Sequence, residues 1–107
     1  MYKEIVIGEK TVPMMATALT PKLAYEFFNE DFLAAIGKEI ESGKSIDMAA
    51  KIGFIMAKRA GDHDMKKLQP SDFEKWLDGF ALGDIIEAAP DIIDLYLSST
   101  KPNISPK

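Results

Sequence analysis

The residue types that most often carry out chemistry in proteins meet at one place in this sequence, the stretch GDHDM. His63 is the chain's only histidine, and Asp62 and Asp64 lie on either side of it. A zinc site needs three or four converging ligands, and three successive residues can turn at most two side chains the same way. A catalytic histidine would need a nucleophile to activate, and the sequence contains no GxSxG elbow. We therefore interpret GDHDM as a solvated loop.

Acidic residues form the second group of candidates for chemistry, and they concentrate in the C-terminal third. The stretch DGFALGD lacks the alternating oxygen ligands and the terminal Glu of a calcium loop. The scattered glycines form no phosphate-binding loop. The acids fall between apolar positions, which is typical of the wet face of amphipathic helices. We expect no enzyme activity, no metal and no cofactor. The acids concerned are Asp78, Asp84, Glu87, Asp91 and Asp94.

The composition of the 107 residues predicts a small soluble protein. Thirteen Lys and Arg against 17 Asp and Glu give a net charge of −4, which argues against binding to nucleic acid. The chain has no cysteine, no apolar run near the ~20 residues that span a bilayer, and no signal-peptide layout. We expect a cytoplasmic protein that binds neither nucleic acid nor membrane. We also expect a single domain over residues 1–98 and a flexible tail over residues 99–107.

A β-hairpin is predicted over residues 1–17. The β-branched run Ile5–Ile7 precedes Gly8, and Thr11 and Val12 follow it. Two such runs around a glycine are typical of two strands joined by a tight turn. Because Pro13 has no amide hydrogen to donate, the second strand must be short or lie at an edge.

Apolar residues at helical spacing begin at residue 20. Thr20 is expected to cap the first helix, with Pro21 at its first position. A polar break at residues 29–31 predicts either two helices or one bent helix before Gly43 ends the segment. The next helix ends near Gly61 and has one face rich in small residues, which would let a neighbouring helix approach closely. That face consists of Ala49, Ile52, Gly53, Met56 and Ala60.

Helical patterning continues to residue 98. Ser71 and Glu74 fit a capping box, and apolar residues follow Phe73 at i+3, i+4 and i+7. Pro90 lies inside the last apolar stripe and predicts a kink or a new helix start. The sequence thus predicts an α+β fold that is predominantly helical, with a short N-terminal β-hairpin followed by four to five helices.

Methionines and aromatic residues are the candidates for contact with a partner. Flexible thioethers suit surfaces that accommodate varied apolar partners, and a small core can leave aromatic side chains at an exposed groove. Core packing is the competing interpretation for each of them. The candidate partner-binding residues are Met14, Met15, Phe27, Phe28, Phe32, Met56, Phe73, Trp76 and Phe80.

The order of a hairpin followed by AYEFFNEDFL, IGFIMAKRAG and FEKWLD resembles the small tail assembly chaperones of long-tailed phages and prophages of Gram-positive bacteria. The resemblance runs from about Tyr2 to Ser98. It implies a protein without catalysis in the cytoplasm of a bacterial host. The implied partner is the tape measure protein, a long helical chain whose apolar segments the chaperone keeps soluble until tail tube subunits polymerise around it. An amphipathic helix lying in an apolar groove is the natural mode of binding.

Other partners and other functions stay open at this point. Pro106 and Lys107 could be encoded by a slippery heptamer, so the resemblance raises the expectation of a longer, frameshifted form that meets the tail tube protein. The excess of apolar residues leaves a homo-oligomer open. The competing hypotheses are another small phage structural or head-tail connector protein, a helical transcription regulator whose basic helix would cover residues 51–59, and, third, an enzyme that depends on His63.

Overall fold

The structure, a computed structural model, describes residues 2–30, 45–62 and 64–98. Within these ranges a two-stranded antiparallel hairpin is followed by four α-helices and one short 3-10 helix. The predicted fold class, α+β and predominantly helical with an N-terminal hairpin, is confirmed. Four predictions lie outside the described residues. They concern the helical segment up to Gly43, Phe32, His63 and the tail at residues 99–107.

The hairpin consists of β1 (Tyr2–Ile7) and β2 (Lys10–Met15). Its two-residue turn has Gly8 at a φ of 64°, while Glu9 has no positive φ. This is the φ pattern of a type II′ turn, which matches the twist of the two strands. Pro13 pairs with Glu4 and costs the sheet little, because in a two-stranded sheet both strands are edges.

Helix α1 (Thr20–Phe28) ends at Asn29, which has a left-handed φ of 57° and donates its N–H to the carbonyl oxygen of Tyr25 at 2.7 Å. The predicted role of Thr20 as the N-cap is wrong, because Leu19 occupies that position. Thr20 is fully buried inside the first turn, where its hydroxyl accepts a hydrogen bond from the N–H of Thr17 at 2.9 Å. The side chain thus closes the turn that precedes the helix.

Helix α2 (Ser45–Ala60) is the centre of the fold and packs against both the hairpin and α4. The predicted face of small residues is buried except at Ala60, and Gly53 lets the side chain of Ile92 approach closely. Burial also extends around the helix, well beyond the predicted face. A helix that is apolar nearly all round is typical of a central position. The additional buried residues are Met48, Ala50, Phe54 and Ile55.

The 3-10 helix (Met65–Lys67) leads into α3 (Pro70–Asp78). The predicted capping box of Ser71 with Glu74 is wrong. Pro70 occupies the first turn, where its fixed φ suits a helix start, so the helix begins one residue before Ser71. The N–H of Gln69 then donates to the carboxylate of Asp72 at 2.7 Å.

Helix α4 (Leu82–Ser98) runs without interruption through Pro90, so the alternative of a new helix start at Pro90 is wrong. Pro90 is exposed, which places its ring and the missing N–H on the side away from the core. The opposite side of α4 is buried against α2 and β1. Among the described helices, none combines the length and the hydrophobicity that a membrane crossing requires.

Candidate partner-binding surface

Six aromatic rings from α1, α2, α3 and the α3–α4 turn form one connected group, here called the aromatic cluster. Its members are Phe27, Phe28, Phe54, Phe73, Trp76 and Phe80. Neighbouring ring centroids lie 4.8 to 6.3 Å apart and most pairs meet edge to face, the arrangement that the ring quadrupole favours. The cluster therefore ties three helices together at one side of the core.

Phe54 is the hub of the aromatic cluster. It is fully buried, and its ring lies 5.4 Å from those of Phe27 and Phe73 and 5.8 Å from that of Trp76. The other five rings are half-buried. Sequence reasoning missed Phe54 because Lys51 and Lys58 flank it on the same side of α2. The sequence does contain one indication of its role. The helices before and after α2 carry several aromatic residues, and these need an aromatic or large apolar partner on α2 to pack against.

Three lysines place their ammonium groups over rings of the aromatic cluster. Lys10 lies 4.9 Å from the ring centre of Phe80 and donates a 2.7 Å hydrogen bond to the carbonyl oxygen of Gly79. Lys58 lies 5.7 Å from the ring centre of Phe54. Such contacts contribute about 0.5–1 kcal/mol at exposed sites. Basic side chains thus cover part of an aromatic surface that would otherwise face water.

The third lysine, Lys51, lies 5.7 Å from the ring centre of Phe28 and forms the best-defined polar contact of the region. Its Nζ is 2.6 Å from a carboxylate oxygen of Glu30 and 3.1 Å from one of Asp47. Burial lowers the pKa of Lys51, but its hydrogen bonds with the two carboxylates raise it, and the net pKa lies above the ordinary value of 10.5. Lys51 therefore stays charged and links the end of α1 to the start of α2.

The candidate partner-binding residues separate into three groups. Met14 and Met56 are fully buried in the core, so in this conformation a partner would not reach them. Met15 is half-buried on the outer face of the hairpin, opposite the exposed Tyr2. The aromatic candidates within the described residues all belong to the aromatic cluster, while Phe32 lies outside the described residues.

Two apolar grooves lie along α4, and Ile46 lines both of them. The first lies between the starts of α2 and α4 and the end of α3, and measures about 360 Å³. The second follows the rest of α4 and measures about 430 Å³. The first is lined by Ile46, Asp47, Ala50, Leu77, Phe80, Leu82 and Ile85. The second is lined by Ile46, Ile86, Ala89, Pro90, Ile93, Asp94 and Leu97.

A third groove of about 380 Å³ lies between α1 and the 3-10 helix. It contains Phe27 of the aromatic cluster together with Leu23 and Leu68, and charges of both signs from Glu26 and Lys66. Because its lining is mixed in polarity, it offers a partner less continuous apolar surface than the grooves along α4.

These surfaces offer a partner mainly apolar contacts, with a few charged side chains at their edges. Within the described ranges, no three or more His, Cys, Asp and Glu side chains come together as a possible metal site. The grooves are open rather than enclosed, which suits a partner segment better than a small molecule. The chain matches no protein-family model, no curated protein and no solved structure in comparisons with known proteins.

Proposed function

We propose that this protein is a tail assembly chaperone of a long-tailed phage or prophage, which binds the tape measure protein and keeps it soluble during assembly of the tail tube. The proposal begins with the resemblance of residues 2–98 to that family. The observation that supports it further is the pair of apolar grooves along α4, because open apolar grooves along a helix suit a partner helix better than a compact ligand.

The client's chemistry explains why such a surface is useful. A long chain of amphipathic helices exposes apolar stripes that would otherwise associate with each other. A groove lined by isoleucine and leucine covers one such stripe by burying it. The chaperone's net charge of −4 then favours solubility of the complex, because like-charged particles repel each other.

The charge distribution also bears on the competing hypothesis of a transcription regulator. Its recognition helix would have to be α2, which supplies Lys51, Lys58 and Arg59. However, α2 is the central helix, with residues 48–56 buried except for Lys51. Lys51 is paired with Glu30 and Asp47. A helix placed in this way is unsuited to enter a DNA groove, which requires an accessible basic face.

Co-expression tests the proposal. The tape measure protein of the same phage or prophage should stay in the soluble fraction when the two are produced together, and should co-purify with the chaperone. The Leu82→Ser variant should weaken this effect, because Leu82 is 68% exposed and lines the first groove. Val6→Ser is the matched control, since Val6 is 63% exposed but lies on the hairpin.

Two outcomes would contradict the proposal. One is a tape measure protein that precipitates to the same extent with and without this chain. The other is the presence of this chain in purified, finished tails at a fixed stoichiometry, which a transient chaperone would not show. The second outcome would favour the alternative of a structural or head-tail connector protein.

A further inference from the structure

Helix α4 has two apolar faces, and only one of them is packed into the core. Ile85, Ile92 and Tyr96 are buried in the core. A second stripe runs along the neighbouring flank at spacings of four, four, three and four residues, the pattern of a helix that packs beside another helix. This second stripe, here called the open flank, consists of Leu82, Ile86, Pro90, Ile93 and Leu97.

The open flank is accessible to a partner over most of its length. Leu82 is 68% exposed and Ile86 is 44% exposed, Pro90 is exposed and Leu97 is half-buried, while Ile93 forms the floor. An amphipathic helix on the surface normally places polar residues at such positions. The apolar residues found there therefore call for a second element to cover them.

The dimensions of the open flank fit one helix of a partner. The two grooves along α4 share Ile46 and together extend from Leu82 to Leu97. At 1.5 Å per residue this distance is about 22 Å, the length of an α-helix of about 15 residues.

The charged side chains that line the two grooves within the described residues are acidic. Among the described residues, Asp47 and Asp94 are the charged side chains that line the two grooves. Asp47 is already paired with Lys51. Asp94 is exposed, as are Glu87 and Asp91 on the adjacent side of α4. The sequence has no basic residue between Lys75 and Lys101, so α4 offers no base of its own to neutralise them.

We infer that the open flank binds a basic amphipathic helix, whose apolar stripe enters the grooves and whose Lys or Arg side chains meet Glu87, Asp91 and Asp94. A second copy of this chain fits poorly, because two α4 helices side by side would place acids against acids. The inference deepens the proposed function and rests on it only for the identity of the partner. The client segments would then be those with lysine or arginine beside their apolar stripe.

Two designed peptides of about 15 residues test this inference directly. Both carry leucine at heptad spacing; one has lysine at the flanking positions and the other has glutamate. Binding is measured by fluorescence anisotropy at low and moderate salt. The basic peptide should bind at least about tenfold more tightly than the acidic one, and its advantage should shrink as salt screens the charges.

Variants of the chain locate the binding site. The double variant Glu87→Lys/Asp94→Lys should weaken binding of the basic peptide by about tenfold and strengthen binding of the acidic one. The matched control is Glu4→Lys/Glu9→Lys, which changes the net charge equally at exposed positions of the hairpin. Ile86→Ser should weaken binding of both peptides, while Val6→Ser should leave both unchanged.

Several results would overturn the inference. One is that the two peptides bind equally well, or that neither binds. Another is that the control double variant weakens binding of the basic peptide as much as Glu87→Lys/Asp94→Lys does. A third is that the chain associates with itself and thereby excludes the peptides. The proposed function fails separately. A tape measure protein kept soluble equally well by all four variants would leave the chaperone role standing without this site. If the peptides bind as expected but the tape measure protein stays insoluble, the binding site on α4 stands and the chaperone role fails.

Discussion

The substitution Phe54→Leu tests whether the aromatic cluster holds the helices together. Phe54 is fully buried and its ring contacts those of four neighbours. Leucine keeps an apolar group at the position but removes the edge-to-face contacts and part of the volume. The change therefore probes ring packing while leaving the hydrophobic character of the site.

The expected cost follows from these contacts. Replacing a buried Phe by Ala costs about 3–5 kcal/mol, and each aromatic pair contributes about 0.5–1.5 kcal/mol beyond area burial. Since leucine restores much of the burial and pair energies are not additive, we expect Phe54→Leu to lower the free energy of unfolding by about 2–3 kcal/mol. A domain of this size has about 5–15 kcal/mol in total, so the variant should still fold.

Urea unfolding measures the loss, and the chain provides its own probe. Trp76 is the only tryptophan and its ring lies 5.8 Å from that of Phe54, so its fluorescence reports on the cluster. With a slope of about 1–3 kcal/mol per molar urea, the midpoint should fall by about 0.7–3 M. Tyr25→Leu is the control, because Tyr25 is 53% exposed on α1; it should cost less than about 0.5 kcal/mol.

A double-mutant cycle with Phe73→Leu completes the test. The two rings lie 5.4 Å apart, so the combined loss should be smaller than the sum of the single losses by about 0.5–1.5 kcal/mol. Strict additivity, or a Phe54→Leu cost no larger than that of Tyr25→Leu, would refute the idea that these rings stabilise the fold as one unit.

Two further changes test individual contacts. Lys51→Met should cost about 1 kcal/mol by removing the bonds with Glu30 and Asp47. Because the pKa of Lys51 is raised above 10.5, this stabilisation should be complete below pH 10.5 and be lost as pH rises further; urea titrations across pH that showed it fading towards neutral pH would contradict the assignment. Gly8→Ala should cost about 1–2 kcal/mol, because its positive φ strains alanine and a Cβ there meets the carboxylate of Asp84. Measured by thermal unfolding, an equal cost in an Asp84→Ala background would show that backbone strain alone is responsible.

Local signals explain which parts of the fold could be predicted. The hairpin follows from Gly8 between two β-branched runs, and a turn is a property of a few adjacent residues. The face of α2 around Gly53 and the apolar spacing after Phe73 likewise depend on helical periodicity alone. The helix starts at Thr20 and Pro70 were displaced by a residue or two, because a proline and a nearby hydroxyl or carboxylate can satisfy the first turn in more than one register.

The remaining features depend on what the helices meet in three dimensions. Nothing in the pattern of α2 shows that it will be covered on nearly every side, so Phe54 between two lysines is typical of a polar flank. As residue types, Met14, Met15 and Met56 look alike in the sequence. Met14 and Met56 are buried because the hairpin packs on α2, which the sequence pattern does not reveal. The sequence does show that α4 alternates acids with apolar residues. It does not show that the apolar positions divide into a buried face and an open flank.

The size of the open flank argues for reversible binding. Burying a large aliphatic side chain contributes about 1.5–3 kcal/mol, and Leu82 and Ile86 have 68% and 44% of their surface left to bury. Even with Leu97, the apolar surface of this chain therefore contributes only a few kcal/mol, while association costs at least about 4 kcal/mol. The apolar side chains of the partner add a similar amount, which gives a modest net affinity, so under the inference above the charges at Glu87, Asp91 and Asp94 contribute a substantial part of it. Under the proposed function this dependence is useful. A complex held by screened surface charges and few apolar contacts dissociates quickly, and tube subunits could then replace one chaperone after another along the client.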